Sequence, residues 1–182
     1  MNFKNTTHRY GALSIGLHWL MLLLLIAVYA TINLRELYPK GSDLREALKV
    51  WHFMLGLSIF ALVSLRIYAR LTAPTPQITP TPAHWQDLSA KLMHLALYIF
   101  MIGMPLLGWL LLSAAGKPIP FFGLDLPALV NKNKELADLF KEIHETVGTA
   151  GYYIIGIHAA AALYHHYVLK DDTLVRILPE HH

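Results

Sequence analysis

Four histidines fall within EIHETVGTAGYYIIGIHAAAALYHH, residues 142–166, where most other side chains are apolar or small. Two of them, His144 and His158, stand fourteen residues apart. At 100° per residue their side chains lie within about 40° of one helical face and about 21 Å apart along the axis. An imidazole in such a segment is costly unless its nitrogens find partners, and ionisable groups in apolar spans are usually functional. Gly148 and Gly151 lie on or near the same face, and glycine lets a flat group approach the backbone where a larger side chain would collide. Two stacked imidazoles with room for planes beside them fit axial ligation of macrocycles better than capture of bare ions.

Each such site needs a second ligand at similar depth on a neighbouring helix. In a chain that alternates direction, His52 at the start of the second apolar run lies level with His144 at the start of the fourth. His18 is nine residues past Arg9, and His158 is twelve before Lys170; these are depths of about 13 and 18 Å from the same side. Pairing His18 with His158 and His52 with His144 makes two bis-histidine sites near opposite membrane faces, which implies two b-type haems with iron as the bound metal. The chain contains no cysteine, which excludes covalent c-type attachment, iron–sulfur clusters and disulfides. Arg66 and Arg70, one helical turn apart, suit pairing with haem propionates. His94, about 5 Å inside its span, is read as too shallow to face His158; with His165, about 8 Å from the same membrane face, it makes a third level suited to a quinone pocket. His166 reads as interfacial, His8 and His84 lie outside the spans, and the terminal His181 and His182 are set aside.

These side chains have to be positioned by membrane helices. Of 182 residues, 55% are hydrophobic and 15% charged, a composition for a bilayer and not for a soluble globule. A single domain, 1–182, is expected to be all-α: a four-helix transmembrane bundle with spans at about 10–34, 50–69, 88–116 and 143–169. Each approaches the roughly 20 residues that cross hydrocarbon, the second doing so if Arg66 snorkels. The first is too long for a removable signal and lacks a small-residue cleavage site. TAPTPQITPTP, residues 72–82, predicts a stiff extended linker. Leu136, Leu139, Phe140 and Ile143 share one face, predicting an amphipathic helix that leads into the fourth span. Pro105 is expected to kink the third helix, and Trp19, Trp51, Trp85 and Trp109 to mark the interfaces. The net charge of +3 is scattered over span ends, which leaves no basic stripe for nucleic acid. Cations divide seven on the amino-terminal side and eight on the other, so charge alone does not set the orientation.

The motifs SIGLHWL around His18, VWHFMLG around His52, RIYAR followed by PTPQITP, GKPIPFFGL, and IHETVGTAGYYIIGIHAAAALYHHY running into KDDTLVRILP cover nearly the whole chain. Together they resemble the bacterial cytochrome b561 family, and within it the small stand-alone members described as superoxide:ubiquinone oxidoreductases. The resemblance implies a multi-pass protein of the bacterial inner (cytoplasmic) membrane with both termini cytoplasmic. It implies His18 with His158 for a cytoplasmic-side haem and His52 with His144 for a periplasmic-side haem. Superoxide is the implied donor and ubiquinone the implied acceptor. The ending PEHH departs from the basic tail more usual in the family.

Given that implication, Lys141, one turn before His144, is expected to line an outer vestibule with Lys49, Arg45 and Lys117 that concentrates a small anion. His165 is expected to give a proton or hydrogen bond to the quinone near the inner face. Lys141 and His165 are therefore the candidate catalytic residues. Membrane lipid is an expected partner; nucleic acid and an obligate protein partner are not. The alternatives are a haem-b subunit relaying electrons between a partner dehydrogenase or hydrogenase and quinone, and a histidine-lined metal transporter without haem.

Overall fold

A computed structural model describes residues 3–179. The bundle consists of α1 (Ala12–Leu34), α2 (Asp43–Leu71), α3 (His84–Ala115) and α4 (Lys134–Tyr164), the last continuing as a π-helical turn over His165–Leu169. All four helices are long and apolar enough to cross a membrane, as the uncharged runs predict. α2 packs beside both α1 and α3, and α3 packs beside α4.

Three helices start earlier than the charge-delimited spans. α2 begins at Asp43, α3 at His84 and α4 at Lys134. The physical reason is that charges near these ends pair along the helix and do not terminate it. Lys49 meets Glu46 at 2.5 Å and Lys91 meets Asp87 at 2.7 Å, spacings that support a helix. His84, expected outside the spans, is thus the first residue of α3. Asn133 caps α4 by accepting the Leu136 N–H at 3.1 Å, so the amphipathic segment and the fourth span form one rod. α3 is continuous through Pro105.

At one end of the bundle the α3–α4 connection folds into a small hairpin of β1 (Pro120–Phe121) and β2 (Leu124–Asp125), with Phe121 opposite Leu124. Its turn residues Phe122 and Gly123 have φ of 47° and 87°, the left-handed pair that a two-residue hairpin of the strands' own twist requires. Ile119 seats the hairpin by burying itself against Leu57 and Leu112. Trp109 Nε1 donates to the Pro127 carbonyl at 2.9 Å, closing the same connection.

The opposite, terminal end gathers three segments distant in sequence. Buried Arg176 donates to the Pro76 carbonyl at 2.6 Å and pairs with Asp172 at 3.3 Å. Asp172 accepts the Thr79 N–H at 2.9 Å and returns its own N–H to the Thr79 carbonyl at 3.1 Å. Trp19 Nε1 donates to the Ile177 carbonyl at 2.8 Å, and Arg9 to that of Leu178 at 3.2 Å. The proline linker is therefore a strap latched by the carboxyl-terminal tail. His181, His182 and the acidic residue of PEHH lie outside the described residues.

Gly151 has a packing role that its place on the histidine face does not predict. A Cβ there would run into the Tyr29 hydroxyl and the Phe100 ring, so the glycine serves close approach of α4 to α1 and α3. Tyr29 is held in that position: its hydroxyl donates to the Gly148 carbonyl at 2.7 Å, and its ring lies 4.3 Å from that of Tyr152. Gly151→Ala is expected to cost about 1–3 kcal/mol through overpacking, read as a lower thermal midpoint in detergent. Gly103→Ala, where nothing lies within 4 Å of the added carbon, is the matched control and is expected to show no loss.

A histidine ladder as the candidate cofactor site

Near the hairpin end, His52 of α2 and His144 of α4 have ring centres 6.2 Å apart with planes at 73°. Near the terminal end, His18 of α1 and His158 of α4 have ring centres 6.4 Å apart at 63°. A metal–nitrogen bond of about 2 Å on each side, plus about 1 Å from nitrogen to ring centre, puts two axial imidazoles about 6 Å apart. Both pairs thus have the spacing of two rings that share one metal ion. Each pair joins α4 to a different helix, so the two sites tie three of the four rods together.

The surroundings of the rings bear on whether they fit a haem. The His52 Nδ1 lies 3.1 Å from the Val28 carbonyl; a carbonyl only accepts, so Nδ1 donates and Nε2 keeps the free lone pair that ligation needs. His144 Nδ1 is buried with no hydrogen-bond partner, a cost in an apolar interior that a ring held for ligation can carry. The same ring rests against α3 at Gly108, where a Cβ would stand 3.4 Å from the His144 Cε1. Gly108 escapes the sequence reading; the available signal is a small residue on a facing helix near the depth of a ligand.

His18 differs from His52. Its Nδ1 accepts from Arg66 Nη2 at 3.2 Å, which places the ring proton on Nε2. Ligation through Nε2 requires that bond to be given up, freeing the Arg66 guanidinium for an acidic group such as a propionate. Arg70 does not join it: its guanidinium lies 5.9 Å from the centre of the Tyr98 ring, a cation–π contact between α2 and α3. Neutral imidazoles in facing pairs, a partnerless Nδ1 and an arginine beside the terminal-end pair suit a haem held by ligands alone. Among the described residues no group of three or more His, Asp or Glu side chains converges as a bare-ion site requires.

The third histidine level does not form. His94 reaches His158, with ring centres 5.5 Å apart, contrary to the expectation that it is too shallow to do so. His94 is shallow only relative to the last charge before it, Lys91, whereas α3 begins at His84; ten residues of helix place His94 about 15 Å from that start. His165 is elsewhere, with its Nδ1 2.5 Å from Asp171 Oδ2. Burial alone would push the Asp171 carboxyl up, but hydrogen bonds from His165 and Thr173 outweigh it and hold the group below its ordinary value. His166 is half-buried at the same end, its ring 4.8 Å from that of Tyr167.

Two of the cations expected near the hairpin end, Arg45 and Lys49, are engaged in tight pairs. Arg45 holds both Glu36 carboxylate oxygens at 3.0 and 3.1 Å and the carbonyls of Arg35 and Tyr38. It ties the α1–α2 turn, and Lys49 is neutralised by Glu46. Lys141 lies on α4 with 61% of its side chain exposed, 3.9 Å from Glu145, a loose pair one turn apart. Lys117 is exposed. Of the four expected vestibule cations, Lys141 and Lys117 are therefore the two that face solvent without a tight partner among the described residues.

Comparison with known proteins agrees with this architecture. The sequence model of the family described as prokaryotic cytochrome b561 matches residues 9–180. Cytochrome b561 homolog 1 of Escherichia coli K12 is 39% identical over 172 residues, covering 94% of this chain and 98% of that protein. A Yersinia pestis protein named probable superoxide oxidase CybB is also 39% identical over 172 residues, covering 94% and 97%. Cytochrome b561 homolog 2 of E. coli K12 is 32% identical over 186 residues, covering 98% and 95%. With four membrane-crossing helices and paired intramembrane imidazoles, the chain belongs to the prokaryotic cytochrome b561 family, multi-pass membrane proteins that bind b-type haem and transfer electrons.

Proposed function

We propose that this protein is a superoxide:ubiquinone oxidoreductase of the bacterial inner membrane, with both termini cytoplasmic, the hairpin end periplasmic and two haem b groups bound. His52 with His144 would hold the outer group, and His18 with His158 the inner one. The observation that carries this reading is the pair of imidazole couples at 6.2 and 6.4 Å, strung fourteen residues apart on one face of α4. The name of the Yersinia relative, similar over nearly the full length, supports superoxide as the donor. Haem b, when bound, supplies reversible one-electron chemistry, which suits a one-electron donor and an acceptor that takes two electrons in turn.

The balance requires two superoxide anions, each losing one electron and leaving as dioxygen, for each ubiquinone that gains two electrons and two protons. Superoxide oxidation breaks no bond to hydrogen, so the outer face needs attraction and no acid or base. Lys141 and Lys117 supply that attraction by raising the local concentration of a small anion. Quinone reduction needs protons, and His165 at the inner end is the residue to exchange them. Arg66 neutralises the acidic groups of the inner cofactor beside His18.

The direct test supplies superoxide to the purified haem-loaded protein with a soluble ubiquinone. Dioxygen return and quinol formation in a two-to-one ratio are expected, and haem that stays oxidised under superoxide overturns the reading. His144→Ala and His52→Ala are each expected to lower the haem content from two to one per chain and to abolish reduction by superoxide, as followed by pyridine haemochrome assay and stopped-flow spectroscopy. Lys141→Glu is expected to slow superoxide oxidation by roughly tenfold at low ionic strength and to flatten its salt dependence, with absorption spectra unchanged.

A further inference from the structure

The end of α4 is built to bring a buried carboxylate onto His165. The π-helical turn over His165–Leu169 is followed by Lys170 at φ 56°, which reverses the chain so that Asp171 folds back on the helix it leaves. The Asp171 N–H donates to the His165 carbonyl at 3.2 Å, and the carboxylate is fixed at both oxygens: Oδ2 to His165 Nδ1 at 2.5 Å, Oδ1 to the Thr173 N–H at 2.9 Å. Asp171 is only 7% exposed. Beside it lies a cavity of about 360 Å³ lined by Thr79, His166, Lys170, Asp171, Asp172 and Val175. The recess is open to solvent and its lining mixes polar and charged groups with apolar surface, so water reaches it.

We propose that Asp171 is a positioning residue for quinone reduction: it engages the His165 Nδ1–H, so that Nε2 is the ring atom that exchanges protons with the quinone, while the neighbouring cavity admits the water that restores them. The inference rests on quinone as the acceptor and on His165 as its proton partner. As each proton is delivered, an N–H bond at Nε2 breaks and an O–H bond of the quinol forms; a proton from water then reforms the N–H bond, twice per quinone. A carboxylate behind an imidazole fixes ring orientation and tautomer, and losing such a partner typically costs 10- to 100-fold in function at metal-bound histidines, about the range expected here. The low carboxyl pKa of Asp171 is consistent with a group that stays an acceptor throughout.

Asp171→Asn in the haem-loaded protein tests the proposal. Haem content and the stopped-flow rate of haem reduction by superoxide are expected to match the wild type, while quinol formation falls about 10- to 100-fold with a raised solvent deuterium isotope effect and little change in the quinone KM. Asp171→Glu, which keeps the charge but displaces it, is expected to keep its haem and recover part of the rate. Unchanged quinol formation in Asp171→Asn overturns the proposal, as does loss of haem in both variants, which would make Asp171 a folding residue. A wild-type protein that accepts electrons from superoxide but forms no quinol overturns the acceptor reading itself, and the proposal with it.

Discussion

An imidazole in an apolar bundle is tolerated when its nitrogens have partners, and that constraint organises this molecule. α4 presents His144 and His158 on one face, and each ring is met by a histidine from a different helix. The spacing inside each couple is that of two rings on one metal ion, and the spacing between couples, about 21 Å of helix, puts one near each end of the bundle. The remaining helix, α3, contributes the backbone of Gly108 against one couple and the ring of His94 against the other. A change that shifts α4 along its axis therefore moves both couples at once.

The two ends of the bundle are finished differently. At the hairpin end, ion pairs neutralise Arg45 and Lys49 and leave Lys141 and Lys117 toward solvent. At the terminal end, the tail crosses the proline strap and locks it through Arg176, Asp172 and Trp19. The lock also sets the position of Asp171, because Asp171 lies between the end of α4 and the residues that grip the strap. The inner proton chemistry proposed for His165 thus shares its scaffold with the contacts that hold the carboxyl-terminal tail.

Number of spans, helical class and the nearness of His52 to His144 and of His18 to His158 were legible in the sequence because each depends on local periodicity and on rise per residue. The level of His94 was not. Depth was measured from charged residues, yet Asp87 and Lys91 pair along α3 and Glu46 and Lys49 along α2, so the helices continue past the point where charge seems to end them. The packing role of Gly151 was hidden for a related reason: its place on the histidine face is local, whereas its contacts with Tyr29 and Phe100 are not. The hairpin hides in a turn with Phe122 at positive φ, a position where asparagine or glycine would have announced it. Contacts such as Arg176 with the Pro76 carbonyl span 100 residues and leave no periodic trace.

The central claim is that the chain holds two b-type haems, each between two histidines. Pyridine haemochrome quantification of the purified wild-type protein against amino-acid analysis, with electron paramagnetic resonance of the oxidised form, measures this directly. Two haem b per polypeptide, both low-spin with two nitrogen axial ligands, is the predicted result. One haem or none, or a high-spin iron lacking its second imidazole, would contradict it.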